Sequence, residues 1–339
     1  MPSRLPFREE QYKMITLWLK GIEIGGTFHI ALLGPKGTGK TATIMKAFKD
    51  KGIEDYYYVR CRNTEYLTFL ELTKVVLGRQ KAGLGLLPFD EVVPKIENKI
   101  VILDGADSFI LRGDTELLYL FSRHSVNLAI ISERFRLIEM IKDPGVISRL
   151  LPMKVLFNEY NATELRTILL QRIEDALGDA SYFEESALNL MVANAKLSGD
   201  ARYLMLLLKR SLIEASESDK VTEEHVRRAD NKLQFIKMKR EIQELSQQEK
   251  LLLLCATQFE KLDDVFEAYN YAAPKVGLRN ITKRRLESSL SELIWRGFFI
   301  LDEDAQSNQK IVFDSPEIKD KLREFMSMSF EKEKLFDTS

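Results

Sequence analysis

The residues with the clearest chemistry form a glycine-rich run that ends in a lysine and a threonine. Residues 34–41 read Gly-Pro-Lys-Gly-Thr-Gly-Lys-Thr, after the apolar run Ile30–Leu33 and before a helical pattern. This is the strand–loop–helix context of a phosphate-binding loop, in which backbone N–H groups converge on phosphates at a helix N-terminus. We expect Lys40 to reach the β- and γ-phosphates and Thr41 to ligate Mg²⁺. The predicted nucleotide-binding residues of this segment are Gly34, Pro35, Lys36, Gly37, Thr38, Gly39, Lys40, Thr41 and Ala42.

A second motif would complete the metal site. The apolar residues 100–103 end in Asp104, the pattern of a Walker B strand whose aspartate holds Mg²⁺ through water. Glutamate usually follows that aspartate and activates the attacking water, but Gly105 stands here and has no group for this task. Asp107 is the alternative base, although a base must lie within hydrogen-bond reach of its proton. With Asp104 as the remaining catalytic candidate of this motif, the sequence predicts nucleotide binding with very slow or absent hydrolysis.

The next predicted strand, Asn127–Ser132, ends in Ser132-Glu133-Arg134. Its end should place a polar residue beside the γ-phosphate, where asparagine is usual. A carboxylate there would repel the phosphate unless Mg²⁺ or Arg134 compensates. The alternative, which we favour, is that Glu133 points into solvent and Ser132 is a weak substitute.

Two arginines are further candidates. Arg149 follows Ser148 at the end of the first domain, and it either reaches the nucleotide of a neighbouring subunit as an arginine finger or stays solvated or ion-paired locally. Arg202 closes the run Gly-Asp-Ala-Arg at residues 199–202. It either folds back onto the γ-phosphate, so that lid closure reports the nucleotide state, or forms a salt bridge at a helix start.

The elements that must position these residues change in kind along the chain. Strands alternating with helical periodicity imply a parallel sheet covered by helices on both faces. The predicted strands are His29–Leu33, Tyr56–Val59, Ile100–Leu103 and Asn127–Ser132. After Tyr160 the pattern becomes helical only, with helices predicted over Asn161–Leu177, Phe183–Leu197 and Asp200–Ala215.

The C-terminal region has a third pattern. A charged stretch without proline or glycine, residues 233–248, indicates a helical linker. Beyond it the sequence predicts helices at Glu249–Gln258, Leu262–Ala273 and Thr282–Arg296, then a β-hairpin formed by residues 298–301 and 310–313. Three helices followed by a hairpin predict a winged helix-turn-helix.

The third of these helices is the candidate DNA-reading element. Leu286, Leu290, Leu293 and Ile294 recur at helical spacing and should face the core, which leaves basic and hydroxyl residues outward. Such a helix suits the major groove of DNA, although an ordinary solvated face is the alternative. The acidic hairpin tip Asp302–Asp304 argues that the wing stays off the DNA backbone or binds protein. The predicted DNA contacts are Arg279, Lys283, Arg284, Arg285 and Ser288.

Composition excludes several classes of protein. The chain has 339 residues, 45% hydrophobic and 30% charged, with a net charge of −1, so any contact with nucleic acid must come from a local patch. Two distant cysteines argue against a disulfide framework or a zinc site. No secretory leader and no apolar run long enough for a membrane span are recognised. We therefore expect a cytoplasmic, nucleoid-associated protein without membrane partners.

Taken together, these motifs resemble the archaeal origin-recognition initiators of the Orc/Cdc type, which are AAA+ proteins. The resemblance rests on the N-terminal run at residues 4–10, the phosphate-binding loop, residues 103–107 and 199–202, and the C-terminal helices and hairpin, in this order. It implies an α/β fold: an AAA+ P-loop NTPase base, an all-helical lid and a C-terminal winged helix-turn-helix. It also implies that Tyr160 and Arg172 flank the nucleotide at the base–lid junction, and that an insertion near Arg79–Gly85 touches DNA.

The implied partners are ATP or ADP with Mg²⁺, double-stranded origin DNA, a related initiator subunit and the replicative helicase. Gly105, Glu133 and Gly145 depart from the family pattern around the γ-phosphate and together put hydrolysis in doubt. The predicted domains are 1–158 for the base, 159–232 for the lid, 233–248 for the linker and 249–339 for the DNA-binding domain. The leading hypothesis is a nucleotide-switched initiator. The alternative is a signal-transducing P-loop ATPase whose winged helix contacts protein or regulates transcription, and an active motor is the weakest hypothesis.

Overall fold

A computed structural model describes residues 5–78, 89–198, 200–296, 298–303, 309–313 and 316–329. Several predicted features lie outside the described residues: Arg4, the insertion at Arg79–Gly85, Gly199 and Asp304. The described chain divides into two compact units, Met1–Ala229 and Asp230–Ser339.

The first unit is built on a five-stranded parallel sheet in the order β2-β3-β4-β1-β5. The strands β1, β3 and β4 are central, because each has a partner on both sides. Parallel strands of this kind are covered by helices on both faces and therefore read as continuous apolar runs. The strands are β1 (Ile30–Leu33), β2 (Tyr56–Arg60), β3 (Ile100–Asp104), β4 (Asn127–Ser132) and β5 (Met153–Leu156).

Helices cover both faces of this sheet and bury alternate residues of the same strands. In β1, Ala31 and Leu33 join one core cluster, whereas Ile30 and Leu32 join the other. This division explains why all four residues of β1 are buried. The helices of this part are α1 (Glu9–Glu23), α2 (Lys40–Lys51), α3 (Glu65–Leu77), α4 (Phe89–Ile96), α5 (Asp107–Ile110), α6 (Glu116–Arg123) and α7 (Pro144–Leu150), with a 3-10 helix at Leu137–Met140.

Strand β5 was not among the predicted strands. It lies at the edge of the sheet, pairs in parallel with β1, and buries only Val155 well. A four-residue edge strand with one buried side chain lacks the apolar run that identified the central strands. The predicted parallel sheet is otherwise confirmed, and the edge strand extends it.

The remainder of the first unit is helical, as the sequence predicted. Asn161 and Glu164 form a capping box at the start of the first of these helices, which fixes where the helix begins. Leu165, Leu169 and Leu204 are fully buried and hold the bundle together. The helices are α8 (Ala162–Leu177), α9 (Glu185–Ser198), α10 (Ala201–Glu214) and α11 (Glu223–Glu244), and the unit boundary falls within α11.

In its described residues, the second unit contains the C-terminal part of α11, three α-helices with a 3-10 helix after the second, a hairpin and a further α-helix. Ser246 and Glu249 form a capping box at the start of the first, and Thr282 caps the third. Its core includes Leu286, Leu290 and Leu293, which confirms the predicted inner face of the third helix. The elements are α12 (Gln247–Gln258), α13 (Leu262–Ala272), a 3-10 helix at Ala273–Val276, α14 (Lys283–Trp295), β6 (Ile300–Glu303), β7 (Gln309–Val312) and α15 (Pro316–Ser329).

The strands β6 and β7 pair in antiparallel fashion, as expected for the predicted hairpin. Helix α15 was not predicted; its Leu322 and Met326 are fully buried in the core of this unit. Across the described ranges, none of the helices combines the length and the apolar character needed to cross a bilayer.

Candidate nucleotide-binding site

A cavity of about 400 Å³ in the first unit collects most of the predicted nucleotide-binding residues. It opens at the carboxyl ends of β1, β3 and β4, and helices α8 and α10 supply its other wall. Ligands of open parallel sheets bind at this end of the strands. The polar and charged residues that line it are Lys36, Lys40, Thr41, Asp104, Ser132, Glu133, Tyr160, Arg172 and Arg202.

The phosphate-binding loop has the backbone that its glycines permit. Gly37 (φ +70°) and Gly39 (φ +91°) are both left-handed, and Gly39 is the N-cap of α2. A Cβ on Gly37 would lie 1.6 Å from an oxygen of Asp200, so only glycine fits against that lid residue. The loop is therefore a small backbone cradle at a helix N-terminus, which suits a phosphate group.

Lys40 is buried within this cradle. Its Nζ donates to the carbonyl oxygens of Gly34 and Pro35, each at 2.6 Å. Burial lowers the pKa of Lys40, while Glu133, Asp104 and Asp107 oppose that shift. Within the described residues, no carboxylate is among the hydrogen-bond partners of this amine, which leaves its charge available for an anion.

The two predicted metal ligands are brought together. The Oγ1 of Thr41 donates to Oδ2 of Asp104 at 3.0 Å, so the hydroxyl and the carboxylate face each other across the loop. The hydroxyl of Tyr58, on β2, donates to the same Oδ2 atom. Burial, then the hydrogen bond to Asp104, raises the pKa of Tyr58 well above its usual range, so it stays a donor. Oxygen donors of this kind suit Mg²⁺.

Gly105, at the position that would activate water, has no side chain for this task. Gly105 has φ +83°, and its N–H donates to the Ile131 carbonyl at 3.0 Å. Asp107, the alternative base, already accepts from Ser132 Oγ at 2.8 Å and from the Glu133 N–H at 3.1 Å. Both of its oxygens therefore secure the end of β4, which argues against a role in deprotonating water.

Glu133 is exposed to solvent, in line with the favoured interpretation, and it also has a partner. Its carboxylate lies 3.3 Å from Nζ of Lys36 in the phosphate-binding loop, with the two side chains about half and two-thirds exposed. Ser132 is 1% exposed and hydrogen-bonded to Asp107. The end of β4 is thus tied to the loop through Lys36 and to the start of α5 through Asp107.

The lid contributes three further predicted residues. Tyr160 is buried at the cavity wall, and its ring lies 3.8 Å from the guanidinium carbon of Arg8. Arg172 lines the cavity and pairs with Asp175 at 3.1 Å. Arg202 follows Asp200, whose carboxylate accepts the Arg202 N–H at 2.7 Å and caps α10. Arg202 lies near enough to Lys40 for its positive charge to help lower the pKa of Lys40.

Arg149 is not part of this cavity. Its guanidinium lies over the ring of Tyr119, 5.3 Å from the centroid, and it lines another cavity with Leu17 and Ile24. The chain's own nucleotide site therefore lacks this arginine, and its function as a finger toward a neighbouring subunit stays a prediction.

Comparison with known proteins bears on the whole chain. Residues 166–231 match the Cdc6 AAA+ ATPase-type lid domain. An ORC1-type DNA replication protein of Methanothermobacter thermautotrophicus is 31% identical over 314 residues, which cover 86% of this chain and 83% of that relative. This chain belongs to the ORC1-type DNA replication protein family.

Solved structures agree on the fold. The ORC1 protein of Aeropyrum pernix, solved in complex with DNA, has a TM-score of 0.78 and 24% identity, covering 96% of this chain and 94% of that one. The Aeropyrum pernix ORC2 protein, solved as ADPNP–ADP complexes, has a TM-score of 0.57 and 19% identity, covering 97% and 96%. The predicted AAA+ base with a helical lid is therefore confirmed for this ORC1-type chain.

The candidate DNA contacts of the ORC1-type chain lie in its second unit. Arg279, Arg284, Arg285 and Ser288 are exposed. Lys283 is exposed as well, but its Nζ forms an ion pair with Asp263 at 2.7 Å. The hairpin strand β6 carries Asp302 and Glu303. The most available positive charge of this predicted set therefore lies on Arg279, Arg284 and Arg285.

Sequence reasoning missed two residues that contact the nucleotide site from outside the cavity. Tyr58 lies on the predicted strand β2, but its hydroxyl donates to Asp104 on the neighbouring strand β3. Arg8 lies in the N-terminal run that the resemblance used, without a role assigned to it. In both cases the signal is a polar side chain within an otherwise apolar or motif-bearing segment.

Proposed function

We propose that this ORC1-type chain is a DNA-binding replication initiator that holds ATP or ADP as a conformational switch. The observation that carries the proposal is one cavity in which the phosphate-binding loop, the Thr41–Asp104 pair and the lid residue Arg202 meet. A nucleotide in this cavity would contact base and lid together, so lid position would depend on it. The relatives named as DNA replication proteins support the biological role.

The residues present fit a nucleoside polyphosphate with Mg²⁺. Backbone N–H groups of the loop and the amine of Lys40 would hold phosphate oxygens, and Thr41 and Asp104 would hold the metal directly and through water. When bound, Mg²⁺ supplies charge neutralisation on the phosphates. The Aeropyrum pernix ORC2 complexes with ADPNP and ADP support nucleotide binding by this fold. We propose that Tyr160 and Arg172, which line the cavity, flank the nucleotide.

Hydrolysis should be very slow or absent. Gly105 has no side chain to orient water, and the Asp107 oxygens are already hydrogen-bonded to Ser132 and Glu133. A general base must reach the proton it removes. We therefore propose that the bound nucleotide acts mainly through conformation.

Helix α14 is the proposed DNA-reading element of a winged helix-turn-helix formed by α12, α13, α14 and the β6–β7 hairpin. Its capped N-terminus carries Lys283, Arg284 and Arg285 outward, an arrangement that suits phosphate and base-edge contacts. The DNA complex of the Aeropyrum pernix ORC1 protein supports DNA binding by a chain of this fold.

The test is the salt dependence of duplex-DNA binding by the full chain and by Arg284→Ala combined with Arg285→Ala. Each lost phosphate contact should lower the slope of log K against log salt by about 0.9, so the double variant should lose nearly two. Arg112→Ala combined with Arg136→Ala is the matched control, since both arginines are exposed in the other unit. An unchanged affinity and slope would reject DNA binding by α14.

That outcome would favour the second candidate, a P-loop ATPase whose winged helix contacts protein. The observations on its side are the acidic strand β6, with Asp302 and Glu303, and the Lys283–Asp263 pair, which reduces the positive charge of α14. A related initiator subunit, approached through Arg149, and the replicative helicase are the further partners that the initiator proposal implies. A cytoplasmic, nucleoid-associated location follows from the same proposal.

A further inference from the structure

The buried guanidinium of Arg8 is the least explained charge of the first unit. Arg8 is 5% exposed, and it does not line the nucleotide cavity. Among the described residues it donates three hydrogen bonds to backbone carbonyl oxygens: Nε to Thr38 at 2.8 Å, Nη1 to Phe7 at 2.7 Å and Nη2 to Asn158 at 2.7 Å. The guanidinium also stacks on Tyr160, 3.8 Å from the ring centroid.

These contacts join segments far apart in sequence. Thr38 belongs to the phosphate-binding loop, while Asn158 and Tyr160 lie in the connection from β5 to the lid helix α8. A buried charge is expensive unless it is fully hydrogen-bonded. Burial lowers the pKa of Arg8 without neutralising it, since arginine stays protonated in proteins. A charge kept in this place at such a cost suggests a function beyond packing.

The bond to Thr38 has a geometric consequence for the loop. The carbonyl of Thr38 and the N–H of Gly39 belong to one planar trans peptide, so they point in opposite directions. Arg8 holds the carbonyl from behind, where Thr38 is fully buried. The Gly39 N–H is thereby turned to the other side of the loop, and Gly39 is one of the cavity-lining residues.

The approach of Arg8 is itself constrained. Phe7, the residue before it, has φ +61°, a left-handed conformation that is unfavourable for a phenylalanine. The Phe7 carbonyl is bound by Arg8 and the Phe7 N–H donates to Glu9 at 3.2 Å. Strained backbone of this kind persists where surrounding contacts determine it, and it clusters at functional sites.

We propose that Arg8 is a positioning residue that presets the phosphate-binding loop for the nucleotide and ties it to the base–lid connection. The inference rests on the proposed nucleotide binding. Arg8 touches no phosphate; it acts through the Thr38–Gly39 peptide on one side and through Asn158 and Tyr160 on the other. Its loss should weaken nucleotide binding even in a chain that remains folded.

The test compares the affinity of fluorescent ADP and ATP for the full chain, Arg8→Ala and the control Arg136→Ala, whose side chain is exposed. Residues that orient metal ligands typically change metal affinity by roughly 10- to 100-fold when substituted, and by analogy we expect a loss of that size for Arg8→Ala only. Guanidinium chloride at low millimolar concentration, far below denaturing levels, should restore part of the affinity. Ammonium chloride at the same concentration should not.

Three results would overturn the inference: unchanged affinity in folded Arg8→Ala, a loss that guanidinium does not reverse, or a loss reversed equally by ammonium. If Arg8→Ala does not fold, Arg8→Lys takes its place, since lysine keeps the charge but cannot hold Thr38 and Asn158 with a planar fork. Full affinity in Arg8→Lys would then reject the inference. Failure of the unmodified chain to bind either nucleotide would instead reject the proposed function.

Discussion

The two sides of the nucleotide cavity differ in what their side chains are doing. On the loop side, made of residues 34–41 with Arg202, the backbone is a cradle, and Lys40 donates to the carbonyl oxygens of Gly34 and Pro35 and to the Thr38 hydroxyl. On the water side, made of Gly105, Asp107, Ser132 and Glu133, the carboxylates are already bound to Ser132, the Glu133 N–H and Lys36. The comparison teaches that holding a nucleotide and hydrolysing it are separable, because each depends on its own set of side chains.

The largest effect should come from Lys40→Ala, which removes the central cation of the loop side. Two charge-assisted hydrogen bonds to phosphate oxygens, each worth about 2 kcal/mol, correspond to roughly a 1,000-fold loss of nucleotide affinity. A titration with fluorescent ATP and ADP measures it, and Lys49→Ala, exposed on the same helix α2, is the control. Comparable affinity in Lys40→Ala would mean that the cavity is not the nucleotide site.

His29, next to the strand that carries the loop, should make the free energy of unfolding depend on pH. His29, just before β1, is 8% exposed; its Nδ1 accepts the Leu128 N–H at 3.3 Å, and burial lowers its pKa to about 4. Because the unfolded chain binds the proton near pH 6.5, stability is complete above that pH and is lost as the pH falls toward 4. The expected loss is about 3 kcal/mol.

Urea unfolding at a series of pH values measures this loss, with the fluorescence of buried Trp18 as the probe in a Trp295→Phe background. Trp18 donates to the Phe28 carbonyl, next to His29, and therefore reports on this strand. Above pH 6.5, the difference in unfolding free energy between His29→Gln and the parent chain should no longer change with pH. A His29→Gln variant that keeps the full acid sensitivity would assign the loss to other groups, and His124→Gln is the control.

A feature of this site could be predicted from the sequence where its pattern lies within one contiguous segment. The loop, Asp104 and the central strands were predictable, because each is contained in a contiguous run with its own physical pattern. The exposure of Glu133 was predicted, but its contact with Lys36 was not, because Lys36 is on another segment. Arg8 acts on Thr38 and Asn158, at separations of 30 and 150 residues, which no local spacing reveals.

A smaller effect is expected where the water side would be repaired. Gly105→Glu places a side chain at φ +83°, a conformation that should cost the unit roughly 1 kcal/mol although the space around a Cβ there is open. Since the Gly105 N–H is also committed to Ile131, we expect single-turnover hydrolysis to stay near the parent rate. Gly52→Glu, also left-handed and open at the end of α2, matches the backbone cost.

A strong gain of hydrolysis in Gly105→Glu, abolished by adding Lys40→Ala, would change the comparison. It would mean that one missing carboxylate separates the two functions and that Asp107 and Glu133 are no obstacle. If Gly52→Glu loses the same stability without any gain of hydrolysis, the backbone cost is independent of the cavity.

The smallest effect concerns Glu133, the only carboxylate of the water side that is paired with the loop side in the described structure. Glu133→Gln removes a negative charge near the expected γ-phosphate and releases Lys36. Exposed ion pairs contribute about 0–1 kcal/mol, so ATP affinity should rise by no more than about fivefold, and ADP affinity by less. The ratio of the two dissociation constants measures it, with Glu139→Gln, paired to Lys154 on the surface, as the control. A fall in ATP affinity would instead show that the Lys36–Glu133 pair helps to hold the loop in its binding conformation, and the two sides of the cavity would then be coupled rather than separable.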